Sequence, residues 1–401
     1  MKLTIIGVGP GREEFLTQKA AELIRTAKVI FAPDRIFDSL SFLNPGIEAM
    51  PFSKILERLQ GMKEKKEGNA VLLASGDVGF YSVSSTIKRK FPEMKVELIN
   101  GLSSLQYFCG LLQIPYEEMH IVSAHGRKLP VLPHVAYHKR TFFLTGGQLC
   151  AHDIIQELSE GGLGEAKVSV GENLSLPGER IRRGAAWELA GEEFCALAVM
   201  VVENPAAVNP FQELRDSDFL RSQAPMTKED IRSVSLARLD IQPQDSVYDI
   251  GAGTGAMSVA MARRAWQGMV YAVERKEDAC RLAMENKERL GAFNLRLSQG
   301  TAPEALEELP PPDKVFIGGS GGNMREILEL VWQKNPEAKI VINAITLETL
   351  QEGIQCLEAH GLLARVTCVS STQGEQVGSY HMMKAQNPVY IISGEPGRNK
   401  E

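Results

Sequence analysis

Residues 246–265 read SVYDIGAGTGAMSVAMARRA, and this stretch decides the fold of the second half of the chain. The strand-forming run SVYDI leads directly into the glycine turn Gly251-Ala252-Gly253-Thr254-Gly255, and a helix-forming segment follows. Strand, glycine turn and helix in this order are typical of a doubly wound α/β sheet. Glycines there let a ligand approach the main chain, and the start of the helix presents unpaired N–H groups. We therefore expect a ligand site at this strand end, with a plain tight turn as the alternative.

The end of the next predicted strand strengthens the interpretation as a ligand site. MVYAV is followed by Glu274, about one βα unit downstream of the glycine turn. A carboxylate at this place can accept hydrogen bonds from both hydroxyls of a ribose. The pattern Gly251-x-Gly253-x-x-Ala256 also satisfies the permissive dinucleotide fingerprint. On these residues alone, a nicotinamide-dependent oxidoreductase stays open.

Strand-like and helix-like segments alternate along the whole chain and predict two α/β domains. In the first half, β-branched runs predict strands at 3–8, 29–32, 70–74, 96–99, 120–123, 141–144, 167–171 and 196–202, with a helix over 17–26. The second half predicts a helix over 228–239, capped by Thr227 with Asp230 three residues later. Its further strands are predicted at 246–250, 269–273, 295–298, 314–317, 339–344 and 363–369. The expected organisation is a domain over 1–204, a turn-rich linker over 205–224, a domain over 225–394 and a flexible tail over 395–401.

Composition limits the class of protein. The 401 residues exceed what one core usually organises, and 44% hydrophobic with 23% charged residues is typical of a folded soluble protein. A net charge of −6 gives no general attraction to nucleic acid or anionic membranes, and the short apolar stretch near residue 1 is expected to be neither a signal peptide nor a membrane span. The six cysteines never form a CxxC pair. We expect a cytoplasmic protein with reduced thiols, no metal site, and no nucleic-acid or membrane partner.

The first half has its own set of turns at strand ends. Gly7-Val8-Gly9-Pro10-Gly11 follows the first predicted strand, Ser75-Gly76-Asp77 the third and Gly101-Leu102-Ser103-Ser104 the fourth. Proline interrupts the first turn and no Lys-Ser/Thr pair follows it, which argues against a P-loop for nucleoside triphosphates. Each turn alone can be structural, but three in order at strand ends predict one shared site.

The second half resembles the class I methyltransferases, because DIGAGTG is similar to their motif I. PMTK at 225–228, GTAPE at 300–304, FIGGSGGN at 316–323 and VINAITLET at 341–349 narrow the resemblance to the decarboxylating corrin-ring methylases of CbiT type. This resemblance implies an S-adenosylmethionine site lined by Thr227, Gly251, Ala252, Gly253, Thr254, Gly255, Glu274, Thr301 and Ala302. Many relatives carry an acidic residue where Thr301 stands, so we expect main-chain groups to replace its contact with adenine.

Two further features of this half are candidates for contact with substrate. The turn containing Gly319, Ser320 and Gly321 opens a predicted helix and can offer N–H donors to the carboxylates of a corrin precursor, unless it is only a flexible loop. Asn343, at a strand end, can meet substrate or cap a helix.

The first half resembles the tetrapyrrole methylase family, in particular its CbiE-like members, through GVGPG, SGDVGFYS and NGLSSLQ. That family folds as two α/β subdomains with S-adenosylmethionine in the cleft between them. The resemblance implies cofactor contacts from Pro10, Gly76, Asp77, Ser104, Ala124 and Thr145.

Basic residues near the expected cleft are candidates for binding substrate carboxylates. SAHGRK supplies Arg127 and Lys128, and LPGERIRRG supplies Arg180, Arg182 and Arg183. Guanidinium groups bind carboxylates in bidentate fashion, although most arginines simply cover solvated surface. From this set we select Arg127 and Arg180. His125 has no evident partner in the sequence, which favours a structural role.

Together the two halves resemble the fused precorrin-6Y C5,15-methyltransferases (decarboxylating) of cobalamin biosynthesis. The resemblance implies C5 methylation by the first half, C15 methylation with loss of the C12 acetate carboxyl by the second, and a precorrin-8-type product. It implies one S-adenosylmethionine per domain and a homo-oligomer, either a dimer or a tetramer. We assign no general acid or base, because placing an electrophilic methyl group against a nucleophilic carbon needs none. A regulatory protein that binds S-adenosylmethionine without converting substrate is the third hypothesis.

Overall fold

The computed structural model describes residues 2–65, 68–126 and 128–396. These residues form two compact units. Unit 2 contains the chain from Asn204 onward together with the pieces Pro130–Lys139 and Glu157–Gly164, and unit 1 contains the rest of the first half. The expected linker and domain limits stay predictions, and most of the expected tail, 397–401, lies outside the described residues.

Unit 1 begins with a parallel five-stranded sheet in the order β3-β2-β4-β1-β5. The strands are β1 (Lys2–Gly7), β2 (Ile30–Ala32), β3 (Ile47–Ala49), β4 (Ala70–Ala74) and β5 (Lys95–Ile99). The helices that follow them are α1 (Gln18–Thr26), α2 (Asp34–Leu40), α3 (Phe52–Glu64), α4 (Ser84–Lys90) and α5 (Ser104–Leu112). The central strands β1 and β4 are buried almost throughout because helices cover both faces, as parallel sheets require.

A second, mixed sheet has the order β6-β7-β10-β8-β9, in which only β6 and β7 run parallel. Its strands are β6 (His120–Ser123), β7 (Arg140–Leu144), β8 (Lys167–Glu172), β9 (Arg180–Ala185) and β10 (Ala198–Glu203). The first half also contains α6 (Leu132–Ala136), α7 (Ala151–Glu160) and α8 (Ala186–Leu189). The arginines of LPGERIRRG therefore lie on a strand, β9, which the sequence did not predict.

Unit 2 is built on a seven-stranded sheet in the order β13-β12-β11-β14-β15-β19-β16. Its strands are β11 (Ser246–Ile250), β12 (Met269–Glu274), β13 (Leu295–Gln299), β14 (Lys314–Ile317), β15 (Lys339–Ala344), β16 (Leu362–Val369) and β19 (Val389–Pro396). The first five are parallel, and β19 runs antiparallel to both of its neighbours. A separate hairpin is formed by β17 (Thr372–Val377) and β18 (Tyr380–Ala385). The strand order changes direction after β11, which is where doubly wound sheets bind ligands.

Helices pack on both faces of this sheet and form two cores. They are α9 (Glu229–Leu239), α10 (Ala256–Arg264), α11 (Glu277–Arg289), α12 (Met324–Lys334) and α13 (Leu347–Ala359). On β11, Val247 belongs to the core that contains α9 and α10, whereas Tyr248 belongs to the core that contains α12 and α13. Alternating strand residues thus fill the two layers, which confirms the expected α/β class of this half.

The expected cap of α9 is wrong. Lys228, and not Thr227, is the N-cap residue, and it makes no side-chain capping hydrogen bond. Arg232 instead donates from Nη1 to the Thr227 carbonyl oxygen at 2.9 Å, which ties the residue before the N-cap to the first turns of the helix. Among the described residues, no helix combines the length and apolar character needed to cross a membrane.

Candidate functional site

A cavity of about 210 Å³ lies at the carboxyl ends of β11 and β12 in unit 2. We call it the turn cavity, because the glycine turn after β11 forms one wall. Eight of the residues expected to bind cofactor or substrate line it: Gly251, Gly253, Glu274, Thr301, Ala302, Gly319, Ser320 and Gly321. The structure therefore brings together the ends of four strands, β11 to β14, whose lining residues lie up to 70 positions apart in the chain.

The glycines of this turn are required for a reason other than the one expected. Gly251, Gly253 and Gly255 all have left-handed φ angles, of +80°, +56° and +76°. A Cβ on Gly251 would meet the main chain of Gly319 at 2.8 Å, and one on Gly253 would approach the Pro225 carbonyl oxygen to well under 3.0 Å. Gly251 and Gly253 therefore allow close packing of protein loops, and both also line the cavity.

Glu274 links the turn to the end of β12. Its Oε2 accepts a hydrogen bond from the Gly253 N–H at 2.9 Å, and its Oε1 accepts one from the Lys276 N–H at 3.0 Å. The side chain is buried, yet it lines the turn cavity. Each carboxylate oxygen has a second lone pair. Glu274 can therefore hold the turn in place and accept ribose hydroxyls at the same time.

The other residues of the turn contact neighbouring protein segments and not the cavity. Ala252, Thr254 and Gly255 are absent from its wall. The Thr254 N–H donates to the Pro225 carbonyl oxygen at 3.2 Å, and Asn286 Nδ2 donates to the Thr254 carbonyl oxygen at 2.9 Å. These contacts fix the loop that contains Pro225 against the turn.

Asp249, two residues before the turn, is a fully buried carboxyl group. The Ser258 hydroxyl donates to its Oδ2, and its Oδ1 has no hydrogen-bond partner among the described residues. Burial is the main cause that raises the pKa of Asp249 to about 7; the hydrogen bond from Ser258 opposes the shift, and the charge of Glu274 adds to it. The proton on Asp249 therefore depends on pH near neutrality.

A larger cavity of about 720 Å³, the basic cavity, shares Pro225 and Gly318 with the turn cavity. Its wall includes three cationic side chains, Arg221, Lys228 and Lys384, and the carboxylate of Glu375, which pairs with Lys384 at 3.3 Å. Thr227 and Asn343 line this cavity, and neither lines the turn cavity, although Thr227 was expected to contact the cofactor. The Asn343 Oδ1 accepts a hydrogen bond from Ser235 at 3.1 Å, and no described residue accepts a hydrogen bond from its amide N–H groups.

The loop at 318–322 offers fewer N–H donors than the sequence suggested. The N–H groups of Gly318 and Gly319 both donate to the Ile250 carbonyl oxygen, at 2.9 and 3.2 Å. A contact with an anion would therefore come from the residues that follow them, Ser320 and Gly321.

Unit 1 contains a separate cavity of about 330 Å³, which we call the unit 1 cavity. Five of the six residues expected to bind cofactor line it: Pro10, Gly76, Asp77, Ser104 and Thr145. Ala124 is fully buried and does not line it, and its N–H donates to the Leu144 carbonyl oxygen at 2.9 Å. A cofactor contact from the Ala124 side chain is therefore not what the structure favours.

Three loops meet at the main chain beside this cavity. Gly9 and Gly76 exchange two N–H···O hydrogen bonds, of 3.1 and 2.8 Å. A Cβ on Gly7 would lie 2.6 Å from the Gly76 carbonyl oxygen, and one on Gly101 would collide with the Gly7 carbonyl group. Glycine is needed at these crossings because no side chain fits.

Asp77 fastens the same crossing through its carboxylate. Its Oδ1 accepts from the Gly79 N–H at 2.7 Å, and its Oδ2 accepts from Asn100 Nδ2 at 3.0 Å and the Gly101 N–H at 3.1 Å. The charge of Asp77 is therefore committed to joining the loops after β4 and β5.

Of the expected substrate arginines, Arg180 is engaged elsewhere. Its Nε donates to Glu172, which is 1% exposed, and Arg182 Nε donates to Glu192 at 3.1 Å. Neither arginine lines the unit 1 cavity. The structure thus favours a structural role for Arg180, because its charge compensates a buried carboxylate. Arg127 lies outside the described residues.

The sequence analysis missed two polar residues of the unit 1 cavity, Arg35 and Tyr107, and favoured a structural role for His125, which also lines it. The Tyr107 hydroxyl donates to Glu179 at 3.0 Å, and burial raises the pKa of Tyr107. His125 is exposed at the cavity. Arg35 lies at the start of α2, and no motif marks it. No group of three or more His, Cys, Asp or Glu residues that could hold a metal ion occurs in the described part of the chain.

Comparison with known proteins places each half in a family. Residues 2–190 match the model of the tetrapyrrole (corrin/porphyrin) methylases, and residues 218–395 match that of the precorrin methyltransferase domain. A precorrin-6Y C(5,15)-methyltransferase [decarboxylating] of Sinorhizobium sp is 29% identical over 86% of this chain and 85% of its own length. A probable cobalt-precorrin-6B C(15)-methyltransferase (decarboxylating) of Pyrobaculum calidifontis is 38% identical over 44% of this chain and 93% of its own. A crystal structure of the Geobacter metallireducens precorrin-6Y C5,15-methyltransferase, 37% identical, covers 45% of this chain and 95% of its own, with a TM-score of 0.43.

Proposed function

Since the chain belongs to the precorrin-6Y C5,15-methyltransferase (decarboxylating) family of cobalamin biosynthesis, we propose that each unit binds its own S-adenosylmethionine and transfers one methyl group. Unit 1 methylates C5. Unit 2 methylates C15 and promotes loss of the C12 acetate carboxyl group as CO₂. The comparisons do not support the alternative of a nicotinamide-dependent oxidoreductase.

One observation carries this proposal: each unit has its own cavity at the carboxyl ends of parallel strands. The turn cavity lies at the switch point beside β11, and the unit 1 cavity lies beside the loops after β1 and β4. Both are lined by main-chain groups of glycine turns, which suit a large polar ligand. Two cavities support two donor molecules per chain.

In unit 2, the two adjoining cavities suit two substrates placed side by side. Glu274 in the turn cavity can accept the ribose hydroxyls of the donor. Arg221 and Lys228 in the basic cavity complement the carboxylates of a corrin precursor, whereas Lys384 is paired with Glu375. Pro225 and Gly318 border both cavities, so the reacting methyl group and ring carbon would meet there.

Placement supplies most of the catalysis that this arrangement can offer. S-adenosylmethionine supplies an electrophilic methyl group, and a correctly oriented pair of reactants can gain about 7–11 kcal/mol over the same reaction in solution. The Asn343 amide N–H groups can hold a substrate oxygen in register with the turn cavity. We therefore assign no general acid or base.

The hairpin β17–β18 supports the expectation of a homo-oligomer. Every residue of both strands is exposed, including Tyr380 at 76% and Met383 at 68%. Val377 and Met382 are also more than half exposed. These four exposed apolar side chains suit burial against the same hairpin of other copies, in a dimer or tetramer.

Counting donors and identifying products tests the function. Equilibrium dialysis with S-adenosylhomocysteine should give two molecules per full-length chain. Turnover with ¹³C-methyl S-adenosylmethionine, using metal-free and cobalt-loaded macrocycle in parallel, should place label at C5 and C15 by NMR and release CO₂. Uptake of one donor molecule or none would refute the proposal. Donor binding without turnover would favour a regulatory protein, and tight binding of NAD would favour an oxidoreductase. Unchanged activity after chelator treatment would support the expected absence of a metal cofactor.

A further inference from the structure

The unit 1 cavity contains one positively charged residue whose charge the fold does not use. Among its described lining residues, Arg35 is the single lysine or arginine. Its Nη2 donates to the Ser75 hydroxyl at 2.9 Å. In the part of the chain that the structure describes, no carboxylate lies within 4.0 Å of this guanidinium, so Arg35 lines the cavity without a counter-ion.

The other charged groups nearby have protein partners. Asp77, which lines the same cavity, uses both oxygens on the Gly79, Asn100 and Gly101 donors. Arg180 forms an ion pair with Glu172, and Arg182 forms one with Glu192. Arg35 therefore differs from these groups in having a neutral hydroxyl as its hydrogen-bond partner.

The surroundings of Arg35 favour a ligand with negative charge. The residue as a whole is exposed, but protein encloses its guanidinium enough that burial lowers the pKa of Arg35 from its usual value. A partly dehydrated guanidinium without a counter-ion gains most from a carboxylate, which it can bind through two parallel N–H···O bonds.

We propose that Arg35 binds a carboxylate of a unit 1 substrate and so fixes that substrate for C5 methylation. The carboxylate belongs either to the amino-acid end of the methyl donor or to an acetate or propionate of the macrocycle. Ser75 holds the guanidinium beside Gly76 and Asp77, at the loop crossing where the donor is expected. This inference rests on the proposed function of unit 1.

Steady-state kinetics of C5 methylation by the full-length chain tests the role of Arg35. Arg35→Gln should raise one KM at least about tenfold and change kcat less, because a charge-assisted contact made in the bound state is lost. Arg35→Lys should recover part of the loss, since it keeps the charge without the planar fork. Arg89→Gln, on the exposed end of α4, is the matched control and should leave both KM values unchanged.

The substrate whose KM rises identifies the source of the carboxylate. If the donor supplies it, inhibition of C5 methylation by S-adenosylhomocysteine weakens in Arg35→Gln, whereas inhibition by 5′-methylthioadenosine, which lacks the amino-acid end, does not. If the macrocycle supplies it, only the KM for the macrocycle rises. C15 methylation by the same chain should stay constant, because Arg35 belongs to unit 1; a circular-dichroism melt of the variant reports on folding.

Two results would overturn the assignment. Both KM values within twofold of the unmodified chain would show that Arg35 binds neither substrate. A lower kcat with unchanged KM values, equal in Arg35→Gln and Arg35→Lys, would show a structural role only. Absence of C5 methylation from the unmodified chain is a different failure, because it refutes the proposed function of unit 1 itself.

Discussion

Replacing Gly253 by alanine tests how the turn cavity is built. Gly253 has φ +56°, and a Cβ there would approach the Pro225 carbonyl oxygen to well under 3.0 Å. The obstacle is main chain, so no side-chain rotation can relieve it. The loop at Pro225 must move, and this loop borders both the turn cavity and the basic cavity.

Two costs add in this variant. An alanine with left-handed φ costs roughly 1–2 kcal/mol, and overpacking of a fixed neighbour costs about 1–3 kcal/mol more. Gly361→Ala is the matched control, because Gly361 has φ +79° and no atom within 4 Å of its added Cβ. We expect the control to lose about 1–2 kcal/mol of unfolding free energy, and Gly253→Ala about 2–5 kcal/mol.

Urea denaturation of the full-length chain measures the loss of stability, and NMR of the ¹³C-methylated product measures each methylation. Gly253→Ala should reduce C15 methylation at least tenfold and leave C5 methylation unchanged, because the clash lies within unit 2. Gly361→Ala should leave both unchanged. Equal stability and equal C15 methylation in the two variants would refute the role assigned to Gly253.

Three further predictions concern other parts of the chain. The pKa of Asp249 is raised to about 7 in the folded state and is about 3.9 in the unfolded state, so the folded chain binds more protons between these values and loses stability as pH rises through them. Asp249→Asn should therefore flatten the decline in melting temperature between about pH 4 and 7. An unaltered decline would exclude Asp249 as its source. Asp77→Asn places an amide N–H against main-chain donors and should reduce C5 methylation at least tenfold with C15 methylation intact; loss of both activities would contradict separate cavities. Tyr380→Asp should shift the mass measured by light scattering toward the monomer, whereas Thr372→Glu, exposed and polar on the same hairpin, should not; an unchanged mass for Tyr380→Asp would exclude this hairpin as the interface.

The segments that form the turn cavity carry local signals in the sequence. The strand at 246–250, the glycine turn and the carboxylate of Glu274 follow one another in the order that the fold requires. The reason for glycine at position 253 was not predictable in the same way, because Pro225 reaches it only after the chain has folded.

The features that were missed depend on contacts between distant segments. Arg35 and Ser75 lie 40 residues apart, and nothing in the local sequence announces that their loops enclose one cavity. The segment RIRRGA forms a strand because it pairs with β8, while its composition and the preceding proline and glycine indicate a loop. Thr227 is a residue type that N-caps favour, but the helix begins at Glu229 with Lys228 as its N-cap, and the Thr227 carbonyl oxygen instead accepts from Arg232.

The crossing of Gly7, Gly76 and Gly101 limits how the specificity of unit 1 can be altered. Since these loops touch through bare main chain, a side chain introduced at Gly7 or Gly101 collides with the neighbouring loop and disrupts the scaffold before it can select among substrates. Changes in the substrate specificity of unit 1, whether engineered or evolved, must therefore come from residues such as Arg35 and Tyr81, whose side chains line the cavity.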